Sequence, residues 1–320
     1  MEKLHRIEKD FLGEKEIESN KYYGIQTLRA RENFDITKTS ISLFPNFIKS
    51  LAKVKKACAL TNYELGDLTD IQKDAIVQAC NEIIDGKFHD QFIVDPIQGG
   101  AGTSTNMNAN EVIANRALEI LGKPKSSYDI IHPNNHINMS QSTNDVYPTA
   151  IKLTLHELIY KLKDSLRFLR DCFEEKSVEF KDILKMGRTQ LQDAVPMTLG
   201  QEFKTFAVMI DEDIYRLRDC QALLKEVNLG ATAIGTGINT KPAYQRKVIS
   251  NLREVTGVDY ISAGDLIEAT QDTGAFVHIS GILKRVAIKI SKICNDLRLL
   301  SSGPRAGFNE INLPPLQPGS

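Results

Sequence analysis

The chain has 320 residues, with 40 Lys and Arg against 41 Asp and Glu, a net charge of −1. So even a balance leaves no field to draw in a nucleic acid or an acidic membrane, and no apolar run approaches the ~18 residues that would mark a membrane span. Hydrophobic residues at 42% and charged residues at 25% are those of an ordinary globular protein, long enough for two domains. Residues 1–13 are charged throughout and lack a signal-peptide apolar stretch, so a cytoplasmic location is expected. The five cysteines are odd in number and widely spaced, without Cys-x-x-Cys. That pattern argues against a disulfide framework or a zinc site and for buried thiols in a reducing compartment.

In chain order, Pro45 is placed to open a helix, and residues 47–64 carry apolar side chains at helical spacing. Residues 70–84 repeat the pattern and end before Gly86, a C-cap candidate. The 98–110 stretch, with its GGAGTSTNMNAN run, is too polar for a core and too rich in glycine for a stable helix start, and reads as a loop. Three long stripes follow. The first runs through Leu155, Leu158, Ile159, Leu162, Leu166, Leu169 and Phe173. The second contains Leu199, Phe203, Phe206, Ile210, Ile214 and Leu217, and the third Ile279, Leu283, Val286, Ile290, Ile293, Leu297 and Leu300. Each marks the apolar face of a long amphipathic helix, and the strict 3-4 alternation of the third is bundle geometry. Strand signals are confined to short pieces near 34–39 and 91–94. The expectation is an all-α fold: a mostly helical domain over residues 1–141, then a bundle with three long helices over 142–320.

Four polar segments join these helices: 100–110, 141–145 (QSTND), 187–193 (GRTQLQD) and 301–320. All are rich in Ser, Thr, Asn and Gly. Hydroxyls, amides and exposed backbone N–H groups bind carboxylates without a fixed charge and suit an oxyanion that forms in a transition state. Removing a proton next to a carboxylate loads that group with a second negative charge, so the composition favours elimination on a carboxylate over hydrolysis or hydride transfer. Helix capping by Asn144 or Asp145 is the plainer use of one such segment, but it does not account for four. The glycines of 230–237 (GATAIGTG) do not follow a strand, which weakens a dinucleotide reading. His132 and His136 stand four apart in HPNNHIN, but the prolyl-asparaginyl sequence makes this a turn and not a metal-binding helix face.

These segments carry a resemblance. YYGIQTLRA at 22–30, QGGAGTSTNMNANE at 98–111, SQSTND at 140–145, KMGRTQLQDAVPMTLGQEF at 185–203, VNLGATAIGTGIN at 227–239 and the run from 291 to 320 are similar to the fumarase/aspartase superfamily. The wording is nearest to its bacterial aspartase branch. The resemblance implies that Thr103 contacts a substrate carboxylate and that Ser142, Thr143 and Asn144 bind the other end of the substrate. It implies that Thr189 contributes from a second subunit, and that Gln190 stands where fumarases carry a histidine. His132 and Asn135 would belong to a peripheral anion site. The family's GSSxMPxKxNP signature would begin at Gly319 and make Ser320 the proton-abstracting base.

The implied reaction is elimination of ammonia from L-aspartate to give fumarate through an aci-carboxylate. No organic cofactor or resident metal is implied, though Mg2+ activation occurs in the family. A homotetramer with composite active sites is implied as well. Fumarate hydratase and an inactive helical oligomerisation piece are the alternatives. The signature's Lys and Asn, two further bundle helices and a small C-terminal domain are missing from this sequence. The 320-residue chain is therefore expected to have little activity alone, and to self-associate or aggregate through its long helices. Light scattering tests the second expectation: a well-behaved monomer would contradict it.

Overall fold

The computed structural model describes residues 5–100 and 102–318. In chain order the elements are β1 (His5–Asp10), β2 (Gly13–Glu18), α1 (Ile25–Asn33), α2 (Pro45–Glu64), α3 (Asp70–Ile84), α4 (Thr103–Ile120) and α5 (Thr143–Glu179). They continue with β3 (Leu184–Thr189), β4 (Gln192–Thr198), α6 (Leu199–Leu224), β5 (Glu226–Val227), α7 (Tyr244–Thr256), β6 (Ile261–Ser262), α8 (Leu266–Gln271) and α9 (Gly274–Leu300). Contacts group these into two compact units. One holds the described residues up to His156 together with 224–272; the other holds 157–223 and the described residues from 273 on. The expected boundary at 142 falls at the start of α5, whose residues up to His156 belong to the first unit.

In the first unit α2 starts where Pro45 sets its first turn. Thr69 and Gln72 form a reciprocal capping box at the start of α3. The core is built where α2, α3, α4 and α7 pack. Ile48, Leu51, Val54, Ile76, Ile83, Val112, Ile113, Leu118, Val248 and Leu252 are fully buried there. Each such side chain contributes roughly 1.5–3 kcal/mol through removal of apolar surface from water.

The 98–110 stretch departs from the loop expected. Helix α4 begins at Thr103, and Thr105, Asn106, Asn108 and Asn110 are all buried. The amides are used as backbone clamps: Asn108 accepts from Ile93 N–H at 3.0 Å and donates to the Gln91 carbonyl at 3.0 Å. Gln98 accepts from Thr105 N–H at 3.0 Å and returns a bond to its hydroxyl at 2.8 Å. Asn108 enters this core because it pairs with a strandless segment whose backbone would otherwise be orphaned. The β-prone pieces near 34–39 and 91–94 form no strand. Side chains take part of their backbone bonding, with Asp95 taking Thr37 N–H at 2.6 Å and Asn108 taking Ile93 N–H, while the Phe92 and Val94 carbonyls accept from Ser42 and Ile41 N–H at 3.0 Å each.

In the second unit α6 buries Leu199, Phe203, Phe206, Ile210, Ile214 and Leu217, following the stripe read from sequence. Phe173, Phe203 and Phe206 pack edge-on around one another, with ring centroids 5.6–6.2 Å apart. The other two stripes are buried only in part: Leu158 and Leu283 are exposed. The GRTQLQD segment, read as a helix-joining loop, is the tip of the antiparallel β3–β4 hairpin.

At the N-terminus of α1 two carboxylates share the free N–H groups. Glu111 accepts from Gly24 N–H at 2.8 Å, Gln26 N–H at 2.9 Å, and Thr27 N–H and hydroxyl at 3.0 and 2.6 Å. Glu8 accepts from Ile25 N–H at 2.9 Å. Burial pushes the Glu111 carboxyl up from 4.5 to about 7; the Thr27 and backbone donors oppose this and the neighbouring Glu8 charge adds to it. A carboxyl that holds its proton more tightly when folded stabilises the fold below its unfolded value and loses that contribution as pH rises through the folded value. The unfolding free energy is therefore expected to fall as pH rises from 4.5 to about 7, and Glu111→Gln to flatten that part of the curve. Urea titrations across this range check it; an unchanged slope in the variant would contradict it.

Candidate active site

In the first unit the N-termini of α4 and α5 meet. Gly102 precedes α4 with φ +93°, and a Cβ there would lie 2.4 Å from the Tyr147 ring on α5. The left-handed conformation and the aromatic face together demand glycine. Thr103 opens α4 and is exposed. One turn on, the Asn106 amide donates to the Thr143 hydroxyl at 3.1 Å and to Asn138 Oδ1 at 3.1 Å. Lys55, 1% exposed, reaches into the same network, donating to Asn138 Oδ1 at 2.9 Å and Gln141 Oε1 at 2.8 Å. Burial pulls its ammonium down to about 8, with Cys58 and Asp145 opposing.

Ser142 precedes α5 as its cap, and Thr143 and Asn144 open the helix. The Ser142 hydroxyl accepts from Asn144 N–H at 3.2 Å while its own N–H donates to Asp145 Oδ1 at 3.0 Å, a reciprocal cap. Pro148 lies inside this helix. It has no N–H to offer the Asn144 carbonyl four residues back, and Asn228 Nδ2 takes that carbonyl instead at 3.0 Å. The Asn144 amide itself donates to the Ala233 carbonyl at 2.7 Å. Burial pushes Asp145 up to about 6, against three backbone N–H bonds and Lys55.

The first N–H groups of a helix have no partner within it and favour an anion. In α4 the third, that of Thr105, goes to Gln98, and Asn106 N–H goes to the Gly102 carbonyl at 3.0 Å. Those of Thr103 and Ser104 have no partner among the described residues. The cluster is a set of uncharged donors at two helix ends, with cation and carboxylate held back as supports. Among the described residues no group of three His, Cys, Asp or Glu is arranged to hold a metal ion.

The remaining expected residues lie elsewhere. Thr189 and Gln190 belong to the second unit, at the exposed tip of the β3–β4 hairpin, where Thr189 pairs with Gln192. Gln190 and Leu191 form its two-residue turn with φ 48° and 62°, the type I′ geometry that asparagine and glycine usually supply. His132 caps the short turn Pro133–Ile137, its Nδ1 accepting from Asn134 N–H at 3.0 Å and Asn135 N–H at 3.3 Å. Its proton therefore resides on Nε2, and burial lowers its affinity for a second. Gly319 and Ser320 lie outside the described residues. Reading the sequence alone misses Lys55, Asn106, Asn138 and Asn228, whose partners are far off in the chain. Asp145 had a local signal, the capping-box spacing from Ser142.

The lyase family (described as Lyase) matches residues 13–320. An aspartate ammonia-lyase of Helicobacter pylori is 60% identical over 98% of this chain and 67% of its own length. One from Escherichia coli is 55% identical over 98% of this chain and 66% of its own. The chain belongs to the fumarase/aspartase superfamily of lyases. It spans about two thirds of the length of these relatives. Among solved structures, a Brucella melitensis fumarate lyase:delta crystallin bound to cobalt superposes with TM-score 0.97 at 56% identity, over 99% of this chain and 69% of that one. A class II fumarase of Schistosoma mansoni superposes at 0.94 with 34% identity, over 99% and 69%. The superfamily's long-helix architecture is thus the architecture of this chain.

Gly102→Ala would meet both the left-handed backbone and the Tyr147 ring. It is expected to lower stability by at least about 1–3 kcal/mol, measured by urea denaturation. A change within error of zero would show that the contact between the two helix ends can relax freely.

Proposed function

We propose that this lyase is an aspartate ammonia-lyase, a carbon–nitrogen lyase that reversibly eliminates ammonia from L-aspartate to give fumarate. The observation that carries the reading is the pairing of two helix N-termini, Thr103 on one and Thr143 on the other, bridged by Asn106. The relatives named aspartate ammonia-lyase at 55–60% identity support it. In the reaction, Ser320 takes a proton from the carbon beside the β-carboxylate. The electron pair moves into that carboxylate as an aci-carboxylate dianion. The C–N bond then breaks, the double bond forms and ammonia leaves. Hydroxyls and backbone N–H groups suit this step because the charge they must hold appears only during it, and preorganised donors respond without reorienting. The substrate residues assigned are Thr103, Ser142, Thr143, Asn144 and Gln190, with Thr189 supplied by another subunit.

The reaction draws on no organic cofactor, since the substrate's own carboxylate accepts the electrons; Mg2+ is proposed as an activator only. A cytoplasmic homotetramer is proposed as the working form. No described helix is long and apolar enough to cross a membrane. Phe168, Val277 and Ile288 on the long helices are 73%, 67% and 58% exposed, apolar surface that self-association would cover. Sedimentation velocity checks this: a monomer across the micromolar range would contradict it.

The direct assay follows absorbance at 240 nm with aspartate and, separately, with malate. In a protein that carries the complete GSSxMPxKxNP signature, aspartate is expected to give fumarate and malate is not, while the 320 residues alone are expected to give little from either; turnover of malate without aspartate would assign the protein to fumarate hydratase. Ser142→Ala and Thr143→Val are each expected to lower kcat by about 100-fold, with far-UV circular dichroism unchanged. Loss of less than about threefold for both would remove these residues from the site.

A further inference from the structure

The glycine-rich run at 230–237 has no part in the reaction described above, yet its backbone is unusual. Gly230, Thr232, Gly235 and Gly237 all have positive φ, at 94°, 58°, 98° and 66°. Left-handed residues interspersed in this way can turn backbone N–H groups into an anion-binding concavity; here those of Gly230 and Thr232 do so, while Gly235 and Gly237 N–H donate to the Ala231 carbonyl at 3.2 and 2.9 Å and close the loop on itself. The anion belongs to the same chain. Gly230 N–H and Thr232 N–H donate to Asp145 Oδ2 at 3.1 and 3.0 Å, and the other oxygen receives Ser142 N–H at 3.0 Å. One fully buried carboxylate therefore joins the loop to the first turn of α5.

Further bonds run alongside. Asn228 holds the Asn144 carbonyl that Pro148 leaves free, the Asn144 amide holds the Ala233 carbonyl, and Lys152 Nζ donates to the Glu226 carbonyl at 2.7 Å. Thr232 adds a second kind of observation. A β-branched residue at φ 58° is a conformational outlier, and such a residue persists only where its surroundings over-determine it. Its hydroxyl is buried without a hydrogen-bond partner among the described residues. A loop that needed only to close a turn would place glycine there.

We propose that Asp145 is a positioning residue: its carboxylate, seated on the amides of Gly230 and Thr232, locks residues 142–144 in the arrangement that receives the substrate. The ligand half of this statement rests on the lyase reading; the lock between carboxylate and loop does not. The carboxylate fits three N–H donors, whereas the amide of Asp145→Asn turns its NH2 towards donors or leaves one of them unpaired.

The test combines amide hydrogen exchange with calorimetric titration of fumarate on the whole protein. In Asp145→Asn, exchange across 228–237 and 142–145 is expected to accelerate at least tenfold, with the α2–α3 core unchanged, and fumarate affinity to fall at least tenfold. Asp145→Glu keeps the charge and should recover most of the loop protection. Ile76→Val, a core substitution away from the loop, should lower the thermal midpoint and leave affinity within twofold. The proposal is overturned if Asp145→Asn binds fumarate within twofold of the parent, or if it and Ile76→Val weaken binding equally at equal loss of Tm. If the parent itself does not bind fumarate, the lyase reading fails and loop exchange alone decides the lock: acceleration supports it, its absence refutes it. Should Asp145→Asn fail to fold, Asn228→Ala loosens the same loop from Asn144. Unchanged exchange at 230–237 in that variant would count against the lock.

Discussion

Two helix N-termini brought side by side present a cluster of backbone N–H groups and two positive dipole ends, and something must hold them there while leaving the outward groups unspent. In this protein the restraint is a chain of side-chain amides. Asn106 joins Thr143 and Asn138, and Lys55 joins Asn138 and Gln141. Two full charges close to this junction, Lys55 and Asp145, are buried and turned to structural partners. Charge placed behind the site stiffens it, and neutral donors face the ligand. Such a division suits a reaction whose negative charge grows during the chemical step, because a fixed cation at the surface would bind substrate and transition state more evenly.

The same economy appears in α5. Pro148 removes one backbone hydrogen bond, and the freed carbonyl of Asn144 becomes the attachment point for Asn228. A proline that looks like a helix fault is the place where a second segment docks. The glycine-rich run then seats itself on Asp145. Local defects in regular structure are used here as sockets for tertiary contact.

Much of this was legible in the sequence, and unevenly. The stripe through Leu199, Phe203, Phe206, Ile210, Ile214 and Leu217 marks a helix because apolar burial has the helix period, and α6 buries all of them. Ser142 to Asn144 stood out because hydroxyls and amides clustered before a long helix. The 98–110 stretch misled: glycine and asparagine argue for a loop by propensity, but tertiary pairing of Thr105 and Asn108 with the 91–98 segment, and of Asn106 with Asn138 and Thr143, draws these residues into a buried helix. The β3–β4 hairpin was hidden because Gln190 and Leu191 occupy a turn that asparagine and glycine usually mark. Lys55 and Asn228 gave no sign, since a residue whose partner lies 80 positions away or more leaves no local pattern.

The central claim is that the paired ends of α4 and α5 form the carboxylate-binding centre of a lyase. A crystal structure of the protein soaked with fumarate tests it most directly. The account predicts one carboxylate of the ligand within hydrogen-bond distance of the Thr103 and Ser104 N–H groups or of the Ser142–Asn144 turn, with the Asn106–Thr143 bond kept. Fumarate bound only at some other place on the protein, with this junction left to solvent, would contradict it.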